Sequence, residues 1–133
     1  MTSKNIPFDF VLDHLISPKV TVRQMFGMFA IYVDENLKLL LRQRDDHRDE
    51  NGIWVATSRE HHKSLKGEIP SLRSISFYSD GLKETSWQVI PADTDAFEVH
   101  AIKACELINK KDIRIGKQAN SLKKVKTRRK EGR

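Results

Sequence analysis

The stretch Val20-Thr21-Val22-Arg23-Gln24-Met25-Phe26-Gly27-Met28-Phe29-Ala30-Ile31-Tyr32-Val33 decides the fold class. It is rich in β-branched and aromatic residues and free of proline, the composition of a strand. Gly27 interrupts it, and a glycine inside a strand weakens or bulges the ladder. The stretch therefore reads as one strand with a defect at Gly27. Asp34-Glu35-Asn36 is a polar break of hairpin length, and Leu37 to Arg42 is the returning strand.

Upstream, Phe8, Val11, Leu12, Leu15 and Ile16 recur at helical spacing. Pro7 fits a first helical turn, and Pro18 pushes Ser17 out of helical geometry, so a helix is expected between them. Downstream, Arg44 to Gly52 is wholly polar or charged and reads as a loop or a long hairpin tip. Ile53 to Ala56 is a short strand. Thr57-Ser58-Arg59-Glu60 has the capping-box pattern and opens a helix through Lys66, with Gly67 as its stop. Ser74 to Tyr78 and Thr85 to Ile90 are strands around an Asp80-Gly81 turn, and Pro91 ends the second. Asp93, Thr94 or Asp95 caps a last helix whose stripe is Phe97, Ala101, Ala104, Cys105 and Ile108. The order α-β-β-β-α-β-β-α, with short connections, predicts an α+β fold: an antiparallel sheet packed with the terminal helices.

Charge divides the chain. Residues 110–133 hold eleven Lys or Arg against two acids, a balance of +9, while residues 1–109 stand at −3. The expected organisation is an α+β domain over 1–109 and a flexible basic tail over 110–133. Within the tail, Lys123, Lys124, Lys126, Arg128, Arg129 and Lys130 crowd six cations into eight positions. Such a run attracts phosphates with little sequence preference and with an affinity that falls as salt rises.

Several function classes drop out. No run of about 18 apolar residues exists to span a bilayer. Met1 to Phe10 has no apolar core of a signal peptide. The single cysteine, Cys105, forms no internal disulfide, which favours a reducing, cytoplasmic setting. On its apolar stripe it reads as a buried structural thiol. Asp45 to Gly52 fails as a calcium loop: with Gly52 in the glycine position, His47 and Ser58 fall where oxygen-rich acids belong. His61 and His62 are adjacent and point about 100° apart on a helix, so they share no metal. His14 and His100 sit beside apolar stripes and read as packing residues. Neither phosphate-binding glycine motif is present. No catalytic residue, cofactor or metal is assigned. Trp54, Phe77, Tyr78 and Trp87 have the chemistry of a base-stacking platform. No basic stripe accompanies them in the body, so core packing is expected.

The segment Arg23 to Asp34 resembles the TfoX N-terminal domain family, which includes the competence regulators also called Sxy. The family pattern is R-x-M-F-G-G-Y-G-[IL]-Y-x-[DG], and this chain matches it at Arg23, Met25, Phe26, Gly27, Ile31, Tyr32, Val33 and Asp34. It departs at Met28 and Ala30, where the family usually carries glycine. Ile53 to Ala56 and Thr85 to Pro91 resemble later family strands, and Asp93 to Asn109 its closing helix. The resemblance implies an α+β fold and a bacterial, intracellular protein. It also implies a link to the transcription of DNA-uptake genes together with the cyclic-AMP receptor protein. Full-length members carry a second, helical domain; here residues 110–133 read as a basic tail.

The leading expectation is a non-enzymatic regulatory or adaptor domain acting through protein contacts, with the tail adding phosphate attraction. The alternative is a direct nucleic-acid binder, through the tail or through Arg23, Arg42, Arg44 and the aromatics. A third reading places a small-molecule or catalytic site near Arg23, Tyr32 and Trp54. No membrane partner is expected, and nothing in the sequence specifies an oligomeric state.

Overall fold

In the computed structural model, which describes residues 5–75 and 86–118, the Val20–Val33 stretch is two strands rather than one. β1 (Val20–Met25) and β2 (Met28–Val33) pair antiparallel from Val20↔Val33 to Met25↔Met28, leaving Phe26 and Gly27 as the whole connection. Their φ angles are 55° and 74°. Positive φ at both central residues marks a type I′ turn, whose twist matches that of the strands it joins. The expected bulge at Gly27 is thus corrected to a tight hairpin. Asp34 and Glu35, at φ 52° and 73°, repeat the device between β2 and β3 (Asn36–Arg42).

β4 (Gly52–Val55), β5 (Arg73–Ser74) and β6 (Gln88–Pro91) complete an antiparallel sheet of order β1-β2-β3-β4-β6-β5. With its helices this is the α+β architecture the sequence predicts. Side chains alternate across the sheet. Ile31, Leu39, Leu41, Ile53, Val55 and Ile90 face the helices. Met28, Ala30, Leu40, Trp54, Ile75 and Val89 form a separate buried cluster on the opposite side. Both faces are apolar, which is why Leu39-Leu40-Leu41 runs without a polar break.

α1 spans only Phe10–Asp13, shorter than the Phe8–Ile16 stripe suggests. The cause lies far away in the chain. Asn109 accepts from the Ile16 amide (3.1 Å) and donates to the His14 carbonyl (2.8 Å), taking up polar groups a longer helix would bond internally. Val11 and Leu15 are still buried, while Ile16 is exposed. A 3₁₀ turn (Arg59–His61) leads into α2 (His62–Glu68). Ser58 makes no side-chain cap bond there, and Gly67 lies inside α2 rather than ending it. α3 (Phe97–Asn109) starts after Ala96 with no side-chain cap; the Phe97 amide bonds the Thr94 carbonyl instead. Its expected stripe is buried at Ala101, Ala104, Cys105 and Ile108, with Leu107 added.

The compositional boundary at residue 109 falls inside the folded unit. Beyond α3 the chain buries Ile115 and adds β7 (Lys117–Gln118) to the start of β3, at Asn36↔Gln118 and Leu37↔Lys117. The Gly116 amide also bonds the Ala56 carbonyl at 2.7 Å. Phe77, Tyr78, the Asp80-Gly81 turn and the tail residues Lys123, Lys124, Lys126, Arg128, Arg129 and Lys130 lie outside the described residues.

Candidate interaction surface

The family-like motif is gathered onto the first hairpin. Arg23 pairs with Ala30, so Tyr32 is its diagonal neighbour on the same sheet face. The Arg23 guanidinium lies 5.8 Å from the Tyr32 ring centroid, within cation–π range. Met25 and Tyr32 are half-buried against the second apolar cluster. Phe26 does the opposite: at the turn it is 80% exposed. A large aromatic at a position that favours Asn or Gly adds nothing to the core and costs the turn about 1 kcal/mol.

β1 is the outermost strand on its side of the sheet among the described residues. In a two-residue hairpin the flanking pair, Met25 and Met28, exchange hydrogen bonds, and bonded and non-bonded pairs then alternate. Val20 and Val22 fall on non-bonded pairs, so their N–H and C=O groups point away from β2. Phe26 and this edge are contiguous along one hairpin.

Arg23, Tyr32 and Trp54, the third site set out from the sequence, share one face of the sheet, but Trp54 is not open to a ligand. Trp54 is buried and its indole N–H donates to the Glu50 carbonyl at 2.9 Å, so no ligand or base can stack on it. Arg42 is 2% exposed and grips the β3–β4 loop. Its guanidinium donates to the Asp46 and His47 carbonyls and to Asn51 Oδ1 (2.7 Å). Arg44 donates to Asp46 at 2.8 Å and holds that carboxyl below the usual range. The loop expected to be a solvated tip is therefore anchored from within. Glu50, only 1% exposed, meets Arg73 at 3.0 Å. Neither Arg42 nor Trp54 is available to a nucleic acid.

The histidines are also tied into the structure. His62 lies 2.7 Å from the Ser86 carbonyl through Nε2 and 3.2 Å from the Gln88 amide nitrogen through Nδ1. Both ring nitrogens of His62 are thereby engaged within the fold. His61 instead meets Glu60 at 3.3 Å, so the two adjacent histidines diverge. His100 Nδ1 is 2.7 Å from the Ser71 hydroxyl, and His14 is exposed. Cys105 Sγ lies 3.6 Å from the Val11 carbonyl, and burial pushes its pKa up to about 12. Among the described residues no group of three His, Cys, Asp or Glu side chains could hold a metal ion. No helix among them is long and apolar enough to cross a membrane.

No family model, curated protein or solved structure matches the chain.

Proposed function

We propose that the chain is a non-enzymatic adaptor domain of regulatory type, similar to the N-terminal domain of TfoX-type regulators, which holds a protein partner on its first hairpin. Phe26 carries this reading. An 80% exposed phenylalanine on a left-handed turn serves neither core nor turn, and aromatic anchors of this kind dominate protein interfaces. The adjoining β1 edge supports the same reading, because Val20 and Val22 offer outward backbone groups to an added strand. The basic residues among 123–130 would add phosphate attraction without sequence preference. A cytoplasmic setting belongs to the same reading, with Cys105 as a free, buried thiol.

The test is a photo-crosslinker placed at position 26 in the producing cell, with a second at the exposed Val99 on α3 as control. The expected result is a discrete protein adduct from position 26 alone. Transcription should also change when Phe26→Asn replaces the natural residue. Identical adduct profiles from the two positions, with unchanged transcription, would overturn the proposal.

A further inference from the structure

Two cavities meet at the end of the sheet where the β2–β3 turn faces the chain leaving α3. The larger, about 410 Å³, reaches toward Gly116 and Ile113; the smaller, about 290 Å³, reaches toward Ile16 and Pro18. Val33, Asp34, Ile108 and Lys111 line both. The two lobes therefore form one groove with an apolar floor, Val33 and Ile108, and two opposite charges on its walls.

Its two shared charged residues sit at chain reversals: Asp34, at φ 52°, in the β2–β3 turn, and Lys111, at φ 62°, where the Lys111 and Asp112 amides bond the Ile108 and Leu107 carbonyls to close α3. Three features single out this groove. Asp34 and Lys111 form no ion pair with each other. Asp34 Oδ1 accepts only from Ser17 Oγ (2.8 Å), and among the described residues no hydrogen bond or ion pair engages the Lys111 ammonium. The other charges are already committed: Lys38 Nζ donates to the Ile115 carbonyl, and Asp112 is held by Arg114 at 2.7 Å. Finally, the rim carries two of the most exposed large apolar side chains, Ile16 at 76% and Ile113 at 84%.

We propose that this groove binds a free α-amino acid with an aliphatic side chain, its ammonium on Asp34, its carboxylate on Lys111 and its side chain among Val33, Ile108 and Ile113. A single-charge ligand would leave one of the two wall charges facing its apolar part, and desolvating an unmatched charge opposes binding. A zwitterion satisfies both. The volume suits a small molecule, near the lower end of ordinary ligand cavities. This site is separate from the first hairpin, and its fate does not depend on Phe26.

The test is a methyl NMR titration of the full chain with L-leucine, leucinamide and N-acetylleucine. The expected result is saturable shifts at Val33, Ile108 and Ile113 with leucine, and little response to either blocked form. Asp34→Asn and Lys111→Gly remove the charges while suiting a left-handed backbone at least as well, so both variants should fold. Each should weaken leucine binding by about tenfold or more, the loss expected for one charged contact. Equal binding of the blocked leucines, unchanged binding by the folded variants, or no methyl shift with leucine would each overturn the proposal.

Discussion

Lys38 and Ile115, 77 positions apart, are joined by a hydrogen bond of 3.0 Å from Nζ to the carbonyl oxygen. Burial lowers the Lys38 pKa, while Asp34 and Asp112 act in the opposite sense. The bond fits because residue 116 is glycine: a Cβ there would lie 2.8 Å from Nζ, on a backbone at φ 132°. Gly116→Ala should therefore destabilise the fold by about 1–3 kcal/mol. A denaturant midpoint unchanged from the parent would show that this contact is not maintained.

The same segment sets a prediction about length. Ile115 is buried in the helix-side core, Arg114 bonds Glu68 at 2.8 Å, and β7 extends the sheet beside β3. Losing the Ile115 side chain alone should cost about 2–3 kcal/mol. A chain of residues 1–109 should melt well below one of residues 1–118. Equal melting temperatures would place residues 110–118 outside the cooperative unit.

Much of the sheet is legible because β-branched and aromatic runs and the polar breaks between them leave a direct mark. Asp34-Glu35 announced its turn; Phe26-Gly27 did not. The latter turn sits within an unbroken apolar run, and phenylalanine is a poor choice for a left-handed position. The length of α1 is not written in its stripe, because Asn109, far along the chain, takes up the His14 and Ile16 backbone. Charge alone assigns residues 110–118 to the tail, since a lysine-rich segment hides Ile115, the isoleucine that docks. It also leaves the anchored loop of Arg42 and Glu50 looking solvated. The groove of Asp34 and Lys111 left no sequence signal at all. Its two charged residues lie 77 positions apart, like Lys38 and Ile115, and only the packing of α3 against the sheet brings them together.

Acid should loosen the junction after α3 first. The Arg114 side chain holds the Asp112 carboxyl down to about 2 and lowers Glu68 as well. A carboxyl depressed in the folded state stabilises it above the ordinary value of 3.8. That contribution disappears as pH falls from 3.8 toward about 2. Stability measured by urea across this interval should fall more steeply for the parent than for Arg114→Leu. Because the groups are partly exposed, added salt should shrink the difference. Parallel pH profiles for the two proteins would remove Arg114 from the account.

The buried carboxylate makes the opposite demand. Arg73→Ala takes a guanidinium that is 38% exposed away from the buried Glu50 carboxylate, and the loss should be about 1–3 kcal/mol. Arg73→Ala with Glu50→Leu should recover part of that loss, since no charge is then left inside. A double variant no more stable than the single one would show that Glu50 has other contacts enough to hold it.

Cys105 should be silent to thiol reagents while the chain is folded. The thiolate is the reactive form, and a pKa near 12 leaves almost none of it at neutral pH. Alkylation should follow the rate of unfolding and rise with denaturant. Rapid labelling in buffer would mean that α3 separates readily from α1.

The sharpest separation of stability from function is expected at Phe26. Asn-Gly is the preferred pair for a type I′ turn, because asparagine accepts positive φ more readily than phenylalanine. Phe26→Asn should raise stability by about 0.5–1 kcal/mol, since the exposed ring gives up little packing. Gly27→Ala should lower it by about 1 kcal/mol or more, with φ at 74° and the Arg44 guanidinium in the space a Cβ would take. If the first hairpin is the partner surface, the more stable Phe26→Asn protein is the one that loses its crosslinked partner. A ring that served only the turn would give the reverse, with stability falling and the partner retained.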